Sequence, residues 1–116
     1  MARQNGPDTN ARGKKLGHSL KAGMFLIESR MADAAMGDVD ALYELGVAYS
    51  TGTAGVEIDF IEAHKWFNLA ALKGNVAAQE CRADLAEDMT AREIADAQRG
   101  ARAWLNDIAD RRPHAA

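Results

Sequence analysis

Residues 37–74 read GDVDALYELGVAYSTGTAGVEIDFIEAHKWFNLAALKG and contain two helical patterns on either side of a turn rich in glycine. Gly37 and Gly74 are 37 positions apart, and Ala41 and Ala78 have the same separation, so the pattern Gly-x-x-x-Ala occurs twice at one spacing. A fixed spacing of about 20 to 50 residues is typical of proteins whose repeated units pack on one another. The stretch therefore predicts a helix-turn-helix repeat.

The order of small residues, aromatic residues and loop glycines in this stretch resembles the Sel1-like repeat, a bacterial and eukaryotic relative of the tetratricopeptide repeat. The matching segments are Ala35-x-Gly37, Ala41-x-Tyr43-x-Leu45-Gly46-x-x-Tyr49-x-x-Gly52, Gly55-Val56-x-x-Asp59, Ala63-x-x-Trp66 and Ala70-Ala71-x-x-Gly74. They cover one full repeat and the start of a second. The resemblance implies an all-α solenoid that binds other proteins and has no chemistry of its own.

The composition is that of an ordinary single-domain globular protein, with 116 residues of which 47% are hydrophobic and 27% charged. The net charge of −3 gives no electrostatic basis for general binding to nucleic acids or membranes. The single cysteine, Cys81, excludes an intrachain disulfide and fits a reducing compartment. No apolar run reaches the roughly 18 residues of a membrane helix, and the N-terminus lacks the apolar core of a secretory signal. We therefore expect a cytoplasmic protein.

Three segments are predicted along the chain. Residues 1–18 form a disordered basic tail, because charged and turn-forming residues fill them and almost nothing apolar precedes Leu16. Residues 19–109 form the helical-repeat domain, and residues 110–116 a disordered C-terminus. The cations of the tail are Arg3, Arg12, Lys14 and Lys15. They leave contact with nucleic acid open as an alternative function, although they are spread out and have no aromatic residues among them.

Five antiparallel helices, in a short right-handed α-α superhelix, are predicted from apolar residues spaced three and four apart. The first helix is expected to run from Ser19 to Ala35 or Met36 with Gly37 as its stop, and the second to begin after the cap Asp38. The third is expected to begin at a capping box of Asp59 with Glu62 and to stop at Gly74, and the fourth to begin after the cap Asn75. The fifth is expected to begin at a capping box of Thr90 with Glu93 and to end at Arg111-Arg112-Pro113. Each helix is expected to pack chiefly on its neighbours in the sequence.

The inward faces of these helices follow from the same spacing. They comprise Leu20, Met24, Ile27, Met31 and Ala34; then Ala41, Leu45, Ala48 and Tyr49; then Ala63, Trp66, Phe67, Ala70 and Ala71; then Ala78, Cys81, Leu85 and Met89; and finally Ile94, Ala97, Ala101, Trp104 or Leu105, and Ile108. Gly46, in the middle of a helix, is expected to let a neighbouring helix come close. His64 and Lys65 are expected to be solvated beside the inward face of their helix.

No residue is nominated as catalytic, and no cofactor is expected. His18, His64 and His114 lack metal-ligand spacing with one another or with Cys81, which is expected to be a small buried apolar residue. Glu80, Asp84 and Glu87 lie at i, i+4 and i+7 on one helical face. They keep a second function open, that of a small metal-dependent regulator or enzyme, although calcium ligands normally come from a loop that surrounds the ion.

The leading function is a protein-protein interaction module, an adaptor that binds a peptide or a partner helix. Tyr43, Val47 and Ser50 lie opposite the inward face of the second helix, and in stacked hairpins this face lines the concave surface. The repeat offset carries these positions to Glu80, Asp84 and Glu87. The predicted site is therefore apolar at one end and acidic at the other, which suits a segment with an apolar anchor residue followed by lysine or arginine.

Self-association is the last expectation. Solenoids usually need about three repeats to bury a continuous core, and this chain supplies fewer. Either the first and last helices cover the open ends, with the Thr90 to Ile108 helix as the main covering element, or two chains stack in a weak homodimer.

Overall fold

The computed structural model describes residue 23 and residues 25–111, and this part of the chain is helical without any strand. The helices are α1 over residues 25–35, α2 over Val39–Thr51, α3 over Phe60–Leu72, α4 over Val76–Ala86 and α5 over Ala91–Arg111. The predicted all-α solenoid of five helices is thus confirmed. The predicted basic tail and the predicted start of the first helix lie outside the described residues, as do Leu20 and Met24.

The two glycines of the repeat occupy equivalent turns. Gly37 ends α1 with a φ of 93°, and Gly74 follows α3 with a φ of 95°. In both turns the residue after the glycine donates its N–H to the carbonyl five positions earlier, at 3.1 Å. This is the Schellman arrangement, which needs a left-handed residue at the position of the glycine. The spacing in the sequence therefore corresponds to a repeated backbone structure.

A side-chain cap follows each of these turns. The Asp38 carboxylate accepts a hydrogen bond from the N–H of Ala41 at 3.2 Å, and the Asn75 side chain accepts one from the N–H of Ala78 at 2.8 Å. Both caps satisfy a backbone donor that the first turn of a helix leaves without a partner. The predicted starts of α2 and α4 are confirmed.

The core is centred on α3, which packs against α2, α4 and α5. The largest fully buried side chains are Trp66, Phe67, Leu42 and Leu45. On the side of α3 that faces α5, the rings of Trp66 and Trp104 meet edge to face with their centroids 4.8 Å apart. Because α3 buries side chains toward three neighbouring helices, it is the element on which the other helices assemble.

The position of α5 corrects one expectation. This helix packs principally on α3 and not on α4, its neighbour in the sequence. The small residues Ala97 and Ala101 are buried and allow a close approach. The reason lies in the apolar surface that each partner offers: α3 has seven buried positions, whereas α4 has only Ala78. Burial of apolar area, which dominates helix packing, therefore favours α3.

The start of α5 agrees with the prediction. Thr90 donates its N–H to the Glu93 carboxylate at 2.8 Å, and the Thr90 hydroxyl accepts from the N–H of Glu93 at 3.1 Å, so the capping box is complete. Of the two residues proposed for the inward face, Trp104 packs against the core and Leu105 is 43% exposed.

The capping box predicted for α3 is only half formed. Asp59 caps the helix through the N–H of Glu62 at 3.1 Å. The predicted reciprocal bond, from the N–H of Asp59 to the Glu62 carboxylate, does not form, because the N–H of Asp59 donates instead to the carbonyl of Tyr49 at 2.9 Å. The Glu62 carboxylate accepts from Trp66 Nε1 at 3.2 Å and pairs with Lys65 Nζ at 3.0 Å. Glu62 therefore contacts residues one turn further along α3 and not the backbone of Asp59.

Candidate partner-binding groove

The predicted binding residues of α2 are all partly exposed. Tyr43 packs its ring on Phe67, with centroids 5.7 Å apart and an interplanar angle of 53°. Val47 and Ser50 follow it along the helix and are also partly exposed. The ring of Phe67 reaches this face because Gly46 has no side chain: a Cβ atom at Gly46 would lie 2.5 Å from Cδ1 of Phe67. The close approach predicted at Gly46 is confirmed.

A groove of about 350 Å³ lies between α2 and α4. It is called the α2–α4 groove below, and it is lined by Val47, Ser50, Thr51, Phe67, Cys81, Asp84, Leu85 and Asp88. Phe67 and Leu85 supply apolar floor, while Asp84 and Asp88 are exposed at its rim. The groove brings together Val47, Ser50 and Asp84 of the predicted set. Glu80 and Glu87 are exposed on α4 and at its end, outside the lining of the groove.

Sequence reasoning missed several lining residues, and a signal for two of them was present. Adding the repeat offset of 37 to Thr51 gives Asp88, as it gives Asp84 from Val47, so the walls of the groove come from equivalent positions of the two helices. Phe67 carried no such signal. It was assigned to the inward face of α3, and only the gap at Gly46 gives it access to the groove.

Cys81 lines the groove next to Tyr43. It was expected to be buried, but it is only half-buried, because it lies in the wall of an open groove. The negative charge that Cys81 carries when ionised raises the pKa of the Tyr43 hydroxyl, and burial adds to the effect. Tyr43 itself lies outside the lining of the α2–α4 groove, and at neutral pH its hydroxyl is an uncharged hydrogen-bonding group beside it.

The acidic rim has no basic partner in the described part of the chain. Neither Asp84 nor Asp88 forms an ion pair with a described residue, and the same is true of Glu80 and Glu87. Among residues 23 and 25–111, no three side chains of the metal-ligating types lie close enough together to hold an ion. The carboxylates thus give one end of the face a negative charge without forming a metal cage.

A second groove of about 260 Å³ lies on the other side of α2. It is called the α1–α2 groove below, and it is lined by Leu26, Ile27, Arg30, Tyr43, Glu44, Val47, Ala48, Thr53 and Ala54. Arg30 and Glu44 form an ion pair within it. Val47 lines both grooves, so the Tyr43 to Val47 turn of α2 forms a ridge between them.

His64 corrects the expectation of a solvated residue. Its side chain is buried, with 3% exposed, and Nδ1 has no hydrogen-bond partner among the described residues. Burial lowers the pKa of His64, and the positive charge of Arg82 lowers it further. Lys65 is half-buried, with Nζ 4.4 Å from the ring centroid of Trp66. Both residues lie on α3, where packing on three sides leaves little room for solvent.

No helix in the described range is both long enough and apolar enough to cross a membrane. Comparison with curated proteins and with solved structures gives no match.

The family comparison gives one match, in which residues 39–75 fit the family model for the Sel1 repeat. The matched segment contains α2, the glycine-bearing turn, α3 and the cap of α4, which are the elements that form the first structural repeat. Sel1 repeats are helical repeats of the tetratricopeptide type and generally mediate interactions between proteins. Residues 39–75 of the chain are therefore a Sel1 repeat.

Proposed function

We propose that this chain is a non-catalytic adaptor that binds a peptide or a helix of a partner protein in the α2–α4 groove. The observation that supports this function best is the combination of an open apolar floor with an acidic rim that has no basic partner among the described residues. Concave, largely apolar sites with a few polar groups are the usual form of a binding site. The general role of Sel1 repeats points to a protein as the ligand.

The chemistry of the groove defines the partner. An apolar side chain on Phe67 and Leu85 would contribute about 1.5 to 3 kcal/mol if it became fully buried. A lysine or arginine next to that side chain would face Asp84 and Asp88. Exposed charges of this kind set orientation and the association rate more than affinity. Tyr43, at the other end of the same face, adds aromatic contact area.

A displayed library of random peptides, selected on the immobilised full chain, tests this function. We expect the enriched peptides to carry an apolar residue near lysine or arginine. Each peptide should also slow the alkylation of Cys81, which is the only cysteine in the chain and lines the groove. Peptides that bind and leave the alkylation rate unchanged would occupy another surface, and the proposal would be wrong.

Two sets of substitutions separate the contributions to binding. Tyr43→Ala is expected to weaken binding of a selected peptide by about 1 kcal/mol or more. Since Tyr43 packs on Phe67, the thermal stability of this variant must be measured alongside. The joint substitution of Glu80, Asp84 and Glu87 by their amides should mainly reduce the salt dependence of binding. Unchanged affinity and unchanged salt dependence in folded variants would contradict the assignment.

A second copy of the chain is the other occupant to be tested. Light scattering over a range of concentrations measures self-association directly. A homodimer that is lost when a selected peptide is added would assign the α2–α4 groove to a second copy. A chain that stays monomeric while binding peptides supports a different protein as the partner.

A further inference from the structure

We infer that the partner segment is an amphipathic helix with two large apolar side chains, one for each groove beside α2, and a basic residue close to the side chain in the α2–α4 groove. This inference rests on the proposed function and specifies its partner. It assigns a role to the α1–α2 groove, which the proposed function leaves unused.

The two grooves form one continuous face. They lie on opposite sides of α2, share Val47, and have similar volumes of about 350 and 260 Å³. Val47 is partly exposed on the ridge, and Tyr43 lies one turn away on the same ridge. A segment that crosses this ridge meets an apolar recess on each side of it. Leu26, which is 42% exposed, belongs to the wall of the α1–α2 groove alone.

The spacing of the grooves favours a helix over an extended segment. Packed helices have axes about 8 to 10 Å apart, so recesses on the two sides of one helix are separated by about 10 Å. A partner helix rises 1.5 Å per residue, so that side chains at i and i+7 lie about 10.5 Å apart on one face. In an extended strand, residues on the same face are separated by about 7 or 13 Å. Small residues at i+3 and i+4 of the helix would pass over Val47.

The charges of the face give the helix a direction. In the α1–α2 groove, Arg30 and Glu44 pair with each other. In the α2–α4 groove, Asp84 and Asp88 have no cationic partner among the described residues. A lysine or arginine of the partner is therefore favoured at the α2–α4 groove and not at the α1–α2 groove. On a helix it would lie three or four residues beyond the apolar side chain in that groove.

The probe is a library of helical peptides with an alanine-rich frame, in which positions i, i+7 and the neighbouring turns are randomised. Selection uses the full chain. We expect enriched sequences with large apolar residues at both i and i+7, and with lysine or arginine three or four positions from only one of them. Enrichment of a single apolar position, or of apolar residues at extended spacing, would overturn the inference.

Two pairs of variants test whether each groove contributes to the affinity for the selected peptide. Leu26→Glu alters only the α1–α2 groove, and its control is Met36→Glu, an 86% exposed residue outside both grooves. Asp84→Lys alters only the α2–α4 groove, and its control is Asp110→Lys, an exposed acid on α5. We expect each groove variant to weaken the selected peptide by about tenfold or more and each control to change it less than twofold.

The outcomes distinguish this inference from the proposed function. Loss of binding with Asp84→Lys but not with Leu26→Glu would leave the adaptor function intact and overturn the two-groove helix. Unchanged binding in both variants would overturn both proposals. Circular dichroism of the bound peptide gives an independent readout, since a peptide that gains no helix on binding contradicts the inference even if both variants lose affinity.

Discussion

Gly46 provides the sharpest test of how this core is packed. The nearest atoms to a Cβ placed at Gly46 would be Cδ1, Cε1 and Cγ of Phe67, at 2.5, 2.6 and 2.8 Å. The Phe67 ring is only 1% exposed and cannot move without disturbing the rest of the core. We therefore expect Gly46→Ala to destabilise the protein, although alanine is the better helix former.

The magnitude follows from two opposing terms. Glycine to alanine inside a helix gains about 1 kcal/mol of helix propensity. Forcing a methyl group into a well-packed core costs about 1 to 3 kcal/mol, and a clash with a buried ring places this case at the upper end. The net loss is about 1 to 2 kcal/mol. For a domain of this size it corresponds to a decrease of roughly 4 to 15 °C in melting temperature.

Gly100 is the matched control. It also lies inside a helix, α5, but its closest neighbour would be Cδ of Lys65 at 3.0 Å, in the middle of a flexible side chain. Because Lys65 can shift, Gly100→Ala should keep most of the propensity gain and stabilise the protein by up to about 1 kcal/mol. The two substitutions are chemically identical and should change stability in opposite directions.

Urea denaturation followed by circular dichroism at 222 nm measures both changes, provided that the slope of the transition is unchanged. Phe67→Leu should remove part of the clash. In a double-mutant cycle, Gly46→Ala should therefore cost less in the Phe67→Leu background than in the native one. Equal stability effects at Gly46 and Gly100, or an additive cycle, would refute the reasoning.

Three other predictions concern stability. Burial and the charge of Arg82 lower the pKa of His64, so the unfolded chain takes up the proton first as the pH falls. The stability contributed by neutral His64 should therefore be fully present above about pH 6.5 and decrease below it, and His64→Leu should flatten that part of a urea-midpoint profile. Thr90→Ala removes the cap of α5 and should cost about 1 kcal/mol in the same assay. Deleting residues 90–116 removes Trp104 from its contact with Trp66 and should abolish the cooperative thermal transition; a truncated chain with an unchanged melting temperature would show that α5 is dispensable.

Some residues of the candidate site could be predicted from the helical period and the repeat spacing, and others could not. Val47 and Asp84 were predicted because the helical period and the repeat offset relate them directly, and both line the groove. Cys81 was placed on the right helical face, but its partial exposure depends on what lies beside that face. Phe67 could not be predicted, because its access to the groove requires the absence of a side chain on a different helix.

The sequence by itself determined the repeat, its turns and its caps. The glycine turns and the caps at Asp38, Asn75 and Thr90 involve hydrogen bonds between residues no more than five positions apart, so their geometry is encoded where they occur. Tertiary structure alone decided that α5 packs on α3, that His64 is buried, and that the N–H of Asp59 binds the carbonyl of Tyr49 in place of the Glu62 carboxylate. Those outcomes depend on which apolar surfaces compete for burial. The competing surfaces come from residues distant in sequence, so the local pattern of one helix does not predict which of them become buried.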